Sequence, residues 1–220
     1  IFSEYCHKTL GLPKENIKVY IDATYGKILG ALSTLKQISQ AYKGDINVIF
    51  YYAGHGVPNE KNNEAYLLPA DATPSMLEAC LPLSSLYSSI GSIDAKQVIV
   101  FMDACFSGSR RENGMIVSAR GVAIKPKKDM VTGNVVVFSA ADGSETAYPY
   151  KEKGHGLFTY FLLKKLKESR GNVTLGDLAD YVKTNVSQKS IVVNNKSQTP
   201  TISSSAQMQD VWRTMKLFRK

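Results

Sequence analysis

The chain has 220 residues, 44% of them hydrophobic and 21% charged, which suits one ordinary globular core and leaves no run near the roughly 18–20 apolar residues of a membrane span. The formal net charge of +8 is local: residues 109–129 carry a net +4 and residues 210–220 a net +3. Neither stretch interleaves aromatic residues as a base-stacking surface does, so nucleic acid is not an expected partner.

In chain order, residues 18–21 form a short strand candidate, and residues 25–42 place Ile28, Leu32, Leu35, Ile38 and Tyr42 at helix spacing. Residues 48–53 are nearly all apolar, as in a strand covered on both faces. A polar loop at 58–64, a short segment at 66–68 and a helix at 83–90 follow, and residues 98–102 make a second buried strand. Residues 109–132 are polar and basic, hold Gly114, Gly121 and Pro126, and lack periodicity, which predicts a loop. A third strand at 135–138 precedes a turn at Asp142 and Gly143. Amphipathic helices then cover 157–167 and 175–186, the second capped by Thr174. Residues 191–193 read as a further short strand. The tail from 206 to 220 is basic, and its 210–220 part reads as a helix or arm docking Met208, Val211, Trp212 and Met215 on the body. Strands separated by helix-length segments imply an α/β fold, one domain over 1–220, with a mostly parallel sheet and helices on both faces.

Two strand ends carry the chemistry. The first run ends in Tyr52-Ala53-Gly54-His55-Gly56, and the second in Asp103-Ala104-Cys105-Phe106-Ser107-Gly108. Open α/β sheets bind ligands outside the carboxyl ends of their strands, where these two residues fall. A cysteine attacks a carbonyl as thiolate, so it needs a base and donors for the oxyanion that forms. His55 supplies the first, and the peptide N–H groups of Gly56 and Cys105 are candidates for the second. The other cysteines, Cys6 and Cys80, are too scattered for a disulfide framework or zinc site. Gly-His-Gly recurs at 154–156, where His155 reads as a loop histidine near a helix start rather than the catalytic partner.

The pair of motifs, with His and Cys 50 positions apart, resembles the caspase-like cysteine peptidases, and within them metacaspases and bacterial caspase homologues more than animal caspases. Supporting similarities are Phe138-Ser139-Ala140-Ala141-Asp142, Gly156-Leu157-Phe158-Thr159 and Gln198-Thr199-Pro200, and the resemblance covers about residues 15–203. It implies a His55–Cys105 dyad in a three-layer caspase-type sandwich, acting on peptide or protein substrates. For the metacaspase branch it implies a pocket for Arg or Lys before the scissile bond, with Asp103 and Asp142 as its carboxylates; a structural role is the alternative for each. The basic loop at 109–132 lacks periodicity and holds six basic residues, so a peptidase with that preference is expected to process itself there, with Arg111, Arg120, Lys125 and Lys128 as sites. In that family a first strand and helix precede the stretch that begins at Ile1, so either a cut N-terminal segment stays associated, as a candidate partner, or the sequence starts after that strand; a monomer is otherwise expected. No cofactor is expected, and although calcium activates some such enzymes, no acidic run in this sequence has loop-type spacing and no site is assigned. A catalytically silent caspase-like scaffold is the competing expectation.

Overall fold

The computed structural model describes residues 1–59, 64–106, 131–143 and 145–217. Its main sheet has six strands: β1 (Asn47–Asn59), β2 (Glu64–Leu68), β3 (Leu81–Pro82), β4 (Gln97–Cys105), β5 (Val135–Ser139) and, beyond a small hairpin of β6 (Pro149–Tyr150) and β7 (His155–Gly156), β8 (Thr201–Ser204). Their order is β3-β2-β1-β4-β5-β8. The central β1, β4 and β5 are parallel, while β2 and β8 run against their neighbours.

The central strands are continuously apolar because both faces are covered. Strand alternation divides their side chains between two cores. Val98, Val100, Met102 and Ala104 of β4, with Val135 and Val137 of β5, pack beneath α2 (Tyr25–Ala41) and α3 (Leu83–Gly91) through Ile28, Leu32, Leu86 and Ile90. Ile99 and Phe101, with Val136 and Phe138, face α4 (Leu157–Glu168) and α5 (Leu175–Asn194). The short α1 (Phe2–Lys8) joins this second face by stacking Phe2 on Tyr51 at 4.2 Å between ring centroids. Thr24 and Thr174 cap α2 and α5, accepting the N–H of Lys27 and Asp177.

Three sequence expectations need correction. Residues 18–21 are not a strand: Val19, Tyr20 and Ile21 are exposed and no described strand pairs with them, so the local preference has no ladder to join. Residues 191–193 are the last turn of α5, which continues until Asn195 closes it in the left-handed conformation at φ 52°; the β-branched run carries a strand signal that helix continuation overrides. Of the helix or arm expected after β8 the structure has an arm with two short 3-10 turns, and the correction there is Val211, which is exposed rather than docked, whereas Met208 is buried and Trp212 and Met215 pack on the second core. The basic tail is partly paired, Arg213 with Asp180 at 2.6 Å and Lys216 with Asn172 at 2.7 Å. Arg111, Arg120, Lys125 and Lys128 lie outside the described residues. No helix among the described residues is long and apolar enough to cross a membrane.

Candidate active site

The register of β1 against β4 pairs His55 with Cys105 directly. Since Ile49 and Tyr51 of β1 face the second core together with Ile99 and Phe101 of β4, the two-residue alternation carries His55, Asp103 and Cys105 to that same side. Neighbouring strands lie about 4.8 Å apart, so the imidazole and the thiol start from adjacent positions at the carboxyl end of the sheet. His55 is exposed and Cys105 partly so, which leaves both side chains accessible to a ligand.

Both glycines flanking His55 are demanded by contacts. A Cβ at Gly54 would fall 2.6 Å from the Tyr52 hydroxyl, which donates to the carbonyl of His55 at 3.0 Å and so fixes the backbone there. A Cβ at Gly56 would fall 2.5 Å from the Cys105 carbonyl and 2.3 Å from the Phe106 ring. The ends of β1 and β4 therefore approach closely because residue 56 has no side chain.

Cys105 meets a second segment of chain. Its sulfur accepts the Ala147 N–H at 2.9 Å, and its thiol donates to the Ala147 carbonyl at 3.1 Å. The segment from Ala140 to Tyr148 is held by the side chain of Gln198, which is fully buried: its amide donates to Ala140 O at 2.9 Å and its oxygen accepts Tyr148 N–H at 2.8 Å. Glu145 adds a second tie by accepting from the backbone N–H and the hydroxyl of Thr199. Asp142 begins the turn within this segment, its carbonyl accepting Glu145 N–H at 2.8 Å. The Gln198-Thr199 motif is thus visible in the sequence, but not its work as a clamp; Ala147 carries no sequence signal at all.

Asp103 is buried at 4% exposure. One carboxylate oxygen accepts the Thr159 hydroxyl at 2.6 Å and lies against Gly156, where a Cβ would come within 2.3 Å of it. Gly156 is the N-cap of α4, so the Asp103 carboxyl group sits at the positive end of that helix. His155, the rival histidine, is paired with Tyr150 in the β6–β7 hairpin, whereas His55 is the histidine paired with Cys105. Cys6 and Cys80 are buried; burial pushes the Cys6 thiol up to about 11 and, with help from Glu78, raises that of Cys80, so neither is disposed to ionise as a nucleophile does. Among the described residues, no group of three or more His, Cys, Asp or Glu side chains is arranged to hold a metal ion.

The caspase domain family matches residues 4–211. A paracaspase of Dictyostelium discoideum is 28% identical over 158 residues, covering 72% of this chain but only 36% of the relative, so the chain spans about a third of that protein's length. Caspase-1 of Spodoptera frugiperda superposes with a TM-score of 0.60 at 15% identity, over 92% of this chain and 76% of the other. A protein of Geobacter sulfurreducens superposes with a TM-score of 0.62 at 19% identity, over 88% and 78%. At these identities the structural matches speak for the fold.

Proposed function

The chain belongs to the caspase domain family, a family of cysteine peptidases, and from that premise we propose that it is an endopeptidase cleaving after Arg or Lys, with Cys105 as nucleophile and His55 as its proton-transfer partner. The observation that carries this is the direct pairing of His55 with Cys105 on one face at the ends of two adjacent parallel strands. The sulfur attacks the scissile carbonyl, giving up its proton to the imidazole. The N–H groups of Gly56 and Cys105 hold the oxyanion, and the imidazolium protonates the departing amine. Water then hydrolyses the thioester with the same imidazole as base. An incoming carbonyl displaces the Ala147 contacts that occupy the sulfur.

The preference for a basic side chain rests on Asp103 and Asp142. Asp103 lies two residues before the nucleophile on the same strand face, roughly 6–7 Å along the strand, a span that an extended Arg or Lys side chain covers. A desolvated cation needs such a carboxylate. An enzyme with that preference meets candidate sites of its own at Arg111, Arg120, Lys125 and Lys128, and self-processing there forms part of the proposal; Lys125 is the poorest, because Pro126 follows it.

Peptides differing only in Arg, Lys or Asp before the scissile bond test the function, assayed beside Cys105→Ala. Arg and Lys peptides should be cut and the Asp peptide spared, with turnover falling at least ~1,000-fold in the variant. Turnover in Cys105→Ala near that of the parent would remove the peptidase assignment, and preference for Asp would remove the acidic pocket. Autoprocessing has its own check: fragments ending between residues 109 and 132 should appear in the parent and be missing from Cys105→Ala.

A further inference from the structure

Asp103 is joined to a part-buried chain of hydroxyls. Thr159, itself 5% exposed, gives its one hydroxyl proton to Asp103, and its oxygen lies 2.7 Å from the hydroxyl of Tyr51. A hydroxyl has a single proton to donate, so Tyr51 is the donor in the second bond. The Tyr51 hydroxyl, pushed up to about 12 chiefly by burial, keeps that proton throughout the neutral range. The three residues come from β1, β4 and the first turn of α4, so the chain runs across the sheet face that also carries His55 and Cys105. Gly156 closes the arrangement, because any larger residue there would push the carboxylate aside.

We propose that Thr159, held in turn by Tyr51, is the positioning residue that fixes the Asp103 carboxylate on the nucleophile's side of β4 and thereby sets the preference for a basic side chain. This rests on the functional assignment above, in which Asp103 receives the substrate cation. A carboxylate free to rotate at Cβ–Cγ presents its oxygens in several directions; one oxygen pinned by Thr159 and the positive end of α4 leaves the other in a fixed orientation. The Thr159 hydroxyl is therefore a specificity element, while its methyl is packing.

Steady-state kinetics on two peptides, identical except for Arg or norleucine before the scissile bond, provide the test. Thr159→Val, which keeps the shape and removes the hydroxyl, should raise KM for the Arg peptide about tenfold with kcat within about threefold, and lower the Arg-to-norleucine ratio of kcat/KM about tenfold. Thr159→Ser, which keeps the hydroxyl, should hold that ratio within about twofold of the parent, and Tyr51→Phe should lower it about threefold. An unchanged ratio in folded Thr159→Val would overturn the assignment, as would equal losses in the Val and Ser variants, which would make the effect one of packing. If Thr159→Val does not fold, Tyr51→Phe decides, since the parent ratio there is also contradictory. A parent enzyme that does not favour Arg over norleucine would instead strike the basic-pocket assignment and take this inference with it.

Discussion

The His55–Cys105 pair and the segment that covers it are built by different means. His55 and Cys105 are placed by two long parallel strands whose register and alternation leave no choice of face. The described residues of 140–148, which bring Ala147 onto the sulfur, have no regular ladder; they are held by the side chains of Gln198 and Glu145, one contributed from 50 or more positions further along the chain and the other reaching as far to Thr199. Backbone register is fixed by every rung of the ladder, whereas a clamp of side chains can fail at a single residue. The two regions should therefore respond differently to substitution.

The largest effect is expected where the strand ends meet. Gly56→Ala inserts a methyl group against the Cys105 carbonyl, which is backbone and cannot swing away. On the proposed mechanism, in which His55 and Cys105 act as a unit, it should lower turnover by at least ~1,000-fold while the rest of the sheet folds; circular dichroism beside peptide hydrolysis checks this, and activity within a few-fold of the parent would show that the junction tolerates the methyl group.

Gln198→Ala tests the other region. It leaves the buried Ala140 C=O and the part-buried Tyr148 N–H without their partner, at about 1–3 kcal/mol for the first and less for the second, or a melting temperature lower by roughly 3–12 °C in a domain of this size. Alkylation of Cys105 by a small neutral reagent should become several-fold faster as Ala147 leaves the sulfur, relative to the parent. A smaller melting loss with no change in alkylation would mean that the segment is held by something other than Gln198.

Outside both regions the expected changes are smaller and spare activity. Trp212 meets Phe138 edge to face at 6.3 Å, so Trp212→Ala should lower the melting temperature by roughly 3–8 °C with turnover unchanged. Cys6 gives a pH effect: its folded thiol ionises at about 11, against 9.0 for an ordinary thiol of the unfolded chain, so the folded form holds the proton longer. Stability is then lost as pH climbs from about 9 through about 11, and the parent's melting temperature should fall more steeply over that window than that of Cys6→Ala.

The same contrast governs what is legible in the sequence. The apolar runs at 48–53 and 98–102 announce buried strands, and their ends place His55 and Cys105, because continuous apolar runs and strand-end chemistry are local signals. Thr159, Tyr51, Ala147 and Gln198 cannot be assigned their tasks this way. Each works through a partner that the fold brings from elsewhere, Thr159 reaching Asp103 from 56 positions away and Gln198 reaching Ala140 from 58. The strands expected at 18–21 and 191–193 fail for a related reason, since propensity is local: the first has no neighbour among the described strands to supply its ladder, and the second is overridden by the continuation of α5.

The central claim is that Cys105, served by His55, is a nucleophile opposite a pocket for a basic side chain. A peptide ending in an arginyl chloromethyl ketone tests it in one step, with mass spectrometry locating the adduct. The predicted result is a single adduct on Cys105, its formation strongly slowed in His55→Ala, and little labelling by the aspartyl analogue. An adduct spread over Cys6 and Cys80, an undiminished rate in His55→Ala, or faster labelling by the aspartyl reagent would contradict it.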